Sequence, residues 1–289
     1  MIDTSCGLCC ATCSFREPFS CGGCAATKGH PFHGECSIAI CCLSKGYTHC
    51  GECKAIPCEK LFTYSFLDPV HGDKPQGARV KVCRKWAAES GKQAWDKVLL
   101  TSAGWLNMAG EVKVNIQQRF LDMLDKPAGE AKVLFIPTAA IFDEAIKMVG
   151  KCREELLYSG ILPENITVYN IGDPMTLEQA MEYDCIYFTG GNNGHLLQRI
   201  KETGFMRIIK SMVYANKVYV GVSAGTLIAT PNIGEPFNEA TSGLAFIHAY
   251  ISVHSHEGTA ARTDLPLPHI PLTDDQALVV KWDGYEIIE

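Results

Sequence analysis

The sequence predicts an α/β protein: a three-layer, doubly wound sheet of mostly parallel strands, preceded by a small Cys-rich domain. Three observations carry this expectation. Of 15 cysteines, 13 lie between Cys6 and Cys83, and only Cys152 and Cys185 follow. From Lys97 onward, short apolar runs alternate with amphipathic stretches, the pattern of strands buried on both faces and joined by right-handed helical crossovers. Two of the apolar runs end in glycine-rich turns, "FTGGNNGH" at 188–195 and "GVSAG" at 221–225. Such sheets hold their ligands beyond the carboxyl ends of the strands.

A chain of 289 residues with 47% hydrophobic content can bury a substantial core, and its length suggests two domains. The step in cysteine content divides it into 1–90 and 97–289. The boundary is expected in "DPVHGDKPQGARVK", residues 68–81, or as late as Glu89–Gln93, because Pro, Gly and charge there lack apolar periodicity. A net charge of −6 leaves no basic footprint, so neither nucleic acid nor an anionic membrane surface is an expected partner. The start, MIDTSCGLCC, lacks a charged segment followed by an apolar one, and no window reaches about 18 uninterrupted apolar residues. A cytoplasmic protein is the expectation, with its oligomeric state left open.

In the first part, Cys-x-x-Cys pairs stand at Cys6/Cys9, Cys10/Cys13, Cys21/Cys24 and Cys50/Cys53. Such a turn brings two thiolates within reach of one ion, and two turns complete a tetrahedral zinc shell. Disulfides would not persist in a reducing cytosol, and about 65 residues with few large apolar side chains need a cross-link that metal ligation can supply. Zinc is the first reading; an iron–sulfur cluster and a redox dithiol compete with it, although the ferredoxin spacing is absent. The segments "CGLCCATC", "CGGC", "CSIAIC" and "HCGECKAIPCEKL" resemble a Cys-rich domain of unknown function found in many bacteria and archaea, over about residues 3–62. Carried over by position, that resemblance implies Cys6, Cys10, Cys13, Cys21, Cys24, Cys36, Cys41, Cys50, Cys53 and Cys58 as candidate metal ligands. Cys9, Cys42 and Cys83 are then free to be small buried hydrophobes.

In the second part "KVLLTSA", "AKVLFIPTA", "ITVYNI", "CIYFTGG" and "VYVGVSA" read as buried strands. Helices are expected in "EVKVNIQQRFLDMLD", where Val112, Ile116, Phe120 and Leu124 share a face, and in "DEAIKMVGKCREELLYSG", with Ile146, Val149 and Leu156 apolar and Gly160 terminating. A strand over Tyr250–Val253 and a final hairpin, "ALVVKWDGYEII", complete the domain.

The G-x-S-x-G stretch follows an apolar β-branched run and precedes an apolar helix start, the context of a nucleophile elbow, whose glycines make room and whose hydroxyl stands above the sheet. Ser223 would need a base, usually a histidine oriented by a carboxylate. Downstream candidates are His248, His254, His256 and His269, with His254 delivered at the end of the Tyr250–Val253 strand. Acids are available at Asp274, Asp275, Glu235, Glu239 and Glu257, and spacing does not choose among them. Only 64 residues follow the elbow (289 − 225), cramped for the usual α/β-hydrolase order.

From about Lys97 to Glu289, "LTSAGW", "KVLFIPTAA", "YFTGGNNGHLLQRI", "GVSAGTLIA", "ISVH" and "LTDDQALVV" together resemble the peptidase E (aspartyl dipeptidase) and cyanophycinase family of serine hydrolases. The resemblance implies a fold like that of class I glutamine amidotransferases and a Ser–His–acid triad. On this chain it falls on Ser223 and His254, with Asp274 or, by a second assignment, Glu235 as the acid. It also implies an oxyanion hole from the amides of Gly191 and Ala224, with Gly190 allowing close approach and Asn192 bordering the substrate. The chain departs from the dipeptidase itself at "SVHSHEG", and no arginine near the elbow offers a pocket for an N-terminal aspartate. The function expected is cleavage of an amide bond in a small peptide through an acyl-enzyme on Ser223. The competing readings are a metal-dependent sensor whose α/β domain binds a small molecule without turnover, and a Cys domain that delivers substrate to the hydrolase.

Overall fold

The structure, a computed structural model, describes residues 4–53, 56, 58–68, 72–75, 77–89, 96–107, 109–235, 238–281 and 284–289. The chain divides into two compact units, Met1–Ala94 and Trp95–Glu289.

The first unit is built of short helices, the longest being Ser37–Ser44 and Ala78–Glu89. Ile38, Ala39, Ile56, Leu61, Val80 and Cys83 are buried within it. Part of the stretch whose composition suggested a linker is therefore core. Asp73 is buried and pairs with Arg79, its Oδ1 2.6 Å from Nε and its Oδ2 accepting the Arg79 amide at 2.7 Å. A Pro- and Gly-rich sequence reads as a loop, but the buried ion pair and the helix it starts fix the backbone there.

In the second unit the apolar runs form the strands β1 (Val98–Thr101), β2 (Val133–Ile136), β3 (Ile166–Val168), β4 (Cys185–Phe188) and β5 (Val218–Val222). They are joined in parallel in the order β3-β2-β4-β5-β1. Two antiparallel strands, β8 (Ala277–Lys281) and β9 (Gly284–Ile288), extend the sheet beyond β1 to seven strands. A separate pair, β6 (Tyr250–Ser255) and β7 (His269–Thr273), is parallel, with a register shift between Ser252 and Ser255. The sheet is thus mostly parallel, and its antiparallel edge is the hairpin read from "ALVVKWDGYEII".

Residues on alternate positions of the strands bury one face each. Leu99, Val133, Phe135, Cys185, Tyr187, Val218, Val220 and Val279 pack with Trp105 and with Ile116, Phe120, Cys152 and Leu156 from the helices Val114–Met123 and Asp143–Tyr158. The other face carries Phe188 and Tyr219, ring centroids 5.3 Å apart, with Phe246 against Tyr219. Both faces are covered, which is why the strand sequences are apolar without alternation. One periodic residue falls outside: Ile146 is 55% exposed, because the buried stripe of its helix runs through Ala145, Cys152 and Leu156. Phe120 is fully buried and stacks on Trp105 at 4.8 Å. Phe120→Ala should cost about 3–5 kcal/mol in denaturant unfolding, whereas Ile146→Ala should stay within about 0.5 kcal/mol.

Candidate active site

β5 ends at Val222, and Ser223 takes the backbone through φ 48°, ψ −100° into the short helix Ala224–Leu227. A side chain on either flanking glycine has nowhere to go. A Cβ on Gly221 would lie 2.5 Å from the Gly225 carbonyl oxygen, and one on Gly225 would lie 2.6 Å from Phe188 Cβ. The bend is held by hydrogen bonds: Ser223 N–H donates to the Thr101 carbonyl at 3.0 Å, and Thr226 Oγ1 lies 2.7 Å from the carbonyls of both Thr101 and Gly221.

The β4 exit stands beside it. A Cβ on Gly190 would come within 3.3 Å of Ser223 Cβ, and one on Gly191, at φ +137°, would strike the Ala139 carbonyl at 2.1 Å. Among the described residues the amides of Gly191 and Ala224 take no protein acceptor, as an oxyanion site requires. The Gly190 amide is engaged behind, on the buried thiol of Cys152. Asn192 follows, and its Oδ1 caps the helix Asn193–Glu202 by accepting the His195 amide at 2.8 Å.

Base and acid arrive from the other end of the unit. His254 sits in the irregular stretch of β6 at φ +56°, with Nε2 3.0 Å from Ser223 Oγ and Nδ1 2.7 Å from Asp274 Oδ1. Their side chains are 51% and 55% exposed. Burial pushes the Asp274 carboxyl up, but hydrogen bonds from Ser102 and His254 outweigh it and hold the group below the usual aspartate range. The remaining candidates are occupied elsewhere. Asp275 lies 3.4 Å from Lys113 and Glu235 lies 3.2 Å from Arg262. His269 Nε2 meets Ser252 Oγ at 2.7 Å, and His256 is exposed beyond β6.

Three residues at this site were given no role by the sequence: Ser102 and Thr226, which lie inside the quoted stretches "LTSAGW" and "GVSAGTLIA", and Glu155. Ser102 follows β1, and its only signal was a polar residue at a strand's carboxyl end. Glu155 is fully buried under the same turn. Its Oε2 accepts the amides of Trp105 at 2.9 Å and Leu106 at 3.2 Å, and its Oε1 accepts the Tyr187 hydroxyl. Burial pushes this carboxyl up to about 7, against the hydrogen bonds from Tyr187, Trp105 and Leu106.

No disulfide joins the cysteines of the first unit among the described residues. Among the described residues no group of three or more His, Cys, Asp or Glu is arranged to hold a metal ion. Several of the sulfurs meet: Cys42 and Cys50 stand 3.4 Å apart, Cys83 also meets Cys50, and Cys24 meets Cys36. Cys42 and Cys83 are buried, as expected of the residues left over from the ligand pattern, but Cys9 is exposed.

The model of peptidase family S51 matches residues 98–287. The chain belongs to peptidase family S51. An uncharacterized peptidase of Listeria monocytogenes is 39% identical over 103 residues, 35% of this chain and 49% of that protein. Peptidase E of Salmonella newport is 29% identical over 106 residues, 36% of this chain and 44% of that protein. The chain spans about half the length of the curated relatives it matches. The crystal structure of a peptidase E-like protein from Listeria monocytogenes EGD-e superposes with a TM-score of 0.52 at 23% identity, covering 67% of this chain and 98% of that one. That likeness concerns the fold. As in the S51 unit here, it is an α/β fold with a mostly parallel sheet.

Glu155 gives the S51 unit a testable pH dependence. Its folded value, about 7, lies above the ordinary 4.5, so its contribution is fully present below about 4.5 and is lost as pH rises through about 7. Thermal unfolding followed from pH 5 to pH 8 should show that decline, and Glu155→Gln should flatten it.

Proposed function

We propose that this S51 member is a serine hydrolase that cleaves amide bonds of small peptides, dipeptidase-like, through an acyl-enzyme on Ser223. The observation that carries the reading is the continuous chain of hydrogen bonds Ser223–His254–Asp274 at 3.0 and 2.7 Å, beginning on a strained bend at a strand exit. The relatives named as peptidases support a peptide as the substrate class.

In this mechanism His254 Nε2 takes the Ser223 proton as Oγ attacks the scissile carbonyl, and Asp274 stabilises the imidazolium while fixing its tautomer. The carbonyl oxygen, now carrying the negative charge, is received by the amides of Gly191 and Ala224. Collapse of the intermediate breaks the C–N bond, and His254 returns its proton to the leaving amine. Water then enters, gives a proton to His254, and its hydroxyl oxygen displaces Ser223 Oγ, which recovers that proton. Two amides and one imidazole thus serve both half-reactions.

For the first unit we propose a Cys-rich metal-binding domain with a structural role, zinc bound by thiolates, in a reducing cytoplasmic setting. The chemistry of the donors supports it: thiolates select zinc among common divalent ions. A metal there would hold the fold and takes no part in the steps above. Among the described residues no helix is long and apolar enough to cross a membrane.

A fluorophosphonate should label the wild-type chain and leave Ser223→Ala unlabelled; equal labelling of both would remove Ser223 from the chemistry. Against a panel of dipeptides and isoaspartyl peptides, His254→Ala should lose roughly four to six orders of magnitude in rate, because triad members act as a unit. Elemental analysis of the purified chain should find stoichiometric zinc, and finding iron instead would reverse the metal assignment.

A further inference from the structure

β1 ends at Thr101, and the next residue, Ser102, is fully buried. Its hydroxyl stands where base and acid meet. Oγ is 2.7 Å from Asp274 Oδ1, accepts the His254 amide at 2.7 Å, and lies 3.4 Å from His254 Nδ1. The direction of these bonds is fixed by the partners. A backbone N–H only donates and a carboxylate only accepts, so the single Ser102 proton goes to Asp274. Oδ1 of Asp274 therefore receives two donors, the Ser102 hydroxyl and His254 Nδ1–H, along separate directions.

Both catalytic partners need such an anchor. His254 occupies the left-handed region at φ +56°, a conformation a non-glycine residue keeps only when its surroundings hold it. Asp274 and His254 are half exposed, so water competes for every hydrogen bond they make. Ser102 is shielded from water and is part of a turn pinned from beneath: Lys151 Nζ donates to the Ala103 carbonyl at 3.2 Å, and Glu155 holds the amides of Trp105 and Leu106.

We propose that Ser102 is a positioning residue of the hydrolytic site, setting the Asp274 carboxylate and the His254 backbone so that the imidazole faces Ser223. The proposal rests on Ser223 being the nucleophile. It assigns Ser102 no contact with substrate and no proton in the reaction.

The experiment is a double-mutant cycle on the full chain, with the rate of fluorophosphonate labelling at Ser223 and the thermal midpoint measured for wild type, S102A, D274N and S102A/D274N. S102A should slow labelling roughly tenfold to a hundredfold, the scale expected when a catalytic group is misplaced by about an ångström. In the D274N background the same change should cost several-fold less, since only the hold on the His254 amide is then left to lose. Equal losses in both backgrounds would make Ser102 merely structural and overturn the proposal, as would wild-type labelling by S102A. Should S102A fail to fold, S102C and S102T make the comparison: S102T, which keeps the hydroxyl, should label faster than S102C, and the reverse order would count against the role. A wild-type chain that is not labelled at all would sink the hydrolase reading itself, and with it this proposal; that failure is recognised before any variant is compared.

Discussion

The site follows from a steric constraint: where β5 turns beside the exit of β4, Gly221 and Gly225 have no room for a Cβ. Gly221 and Gly225 face each other across the bend, and Gly225 presses on Phe188. The helix after β5 must therefore start almost on the sheet, and one residue, Ser223, has to absorb the whole change of direction at φ 48°. A non-glycine residue held in a sparsely populated conformation costs on the order of 1–3 kcal/mol. Thr226 and the Thr101 carbonyl offset that strain with hydrogen bonds that exist only when the bend is made. The same crowding brings the β4 turn against Ser223, so the hydroxyl and the amides of Gly191 and Ala224 share one origin.

Base and acid depend on the antiparallel edge. β8 runs against β1 with Thr101 opposite Ala277, so the residues just before β8 pass over the end of β1. This brings Asp274 to Ser102, where the Lys113 ammonium also reaches its carbonyl oxygen and the neighbouring Asp275. β6, parallel to β7, carries His254 to the same place by way of its irregular register. A purely parallel sheet could not return the chain to the β1 exit within so few residues, because a parallel crossover needs a dozen or more.

How much of this could be read from the sequence depended on whether the signal was local. The five parallel strands, the hairpin and the elbow are local patterns of apolar runs and glycines, and the quoted runs overshoot the strand ends by up to three residues. His254 was nameable because it ends a strand and Asp274 because the family resemblance falls on it, yet the choice of Asp274 over Asp275 or Glu235 is a matter of direction: neighbouring residues point opposite ways, and Glu235 is claimed by Arg262. Ser102 and Glu155 were invisible because their meaning is tertiary. A serine after a strand and a glutamate on an amphipathic helix are ordinary until the fold puts 172 residues of separation into one 2.7 Å contact, or buries a carboxyl beneath a turn. Ile146 misled for the converse reason, since its helical spacing fits a stripe that the packing shifted to Ala145. In the first unit the Cys-x-x-Cys spacing spoke for ligand geometry, whereas the sulfurs that meet, Cys42 and Cys83 at Cys50 and Cys24 at Cys36, come from different pairs.

The exposure of the triad bears on how it could work. With His254 and Asp274 about half in water, the carboxylate's hold on the imidazolium that forms during reaction would be weak in an open site: two unit charges 4 Å apart gain about 1 kcal/mol in bulk water and about 4 kcal/mol at the effective dielectric of a protein surface. An acyl group lying across Ser223 would displace water from the imidazole and move the pair toward the second value, so the substrate itself would strengthen the catalytic electrostatics. That arrangement only helps if the groups keep their positions while exposed. The buried hydroxyls of Ser102 and Thr226 and the buried carboxyl of Glu155 meet that need, because none of them competes with solvent. The geometry is held from beneath and the field is completed from above, which is why the polar residues around this site divide into buried ones that hold position and half-exposed ones suited to react.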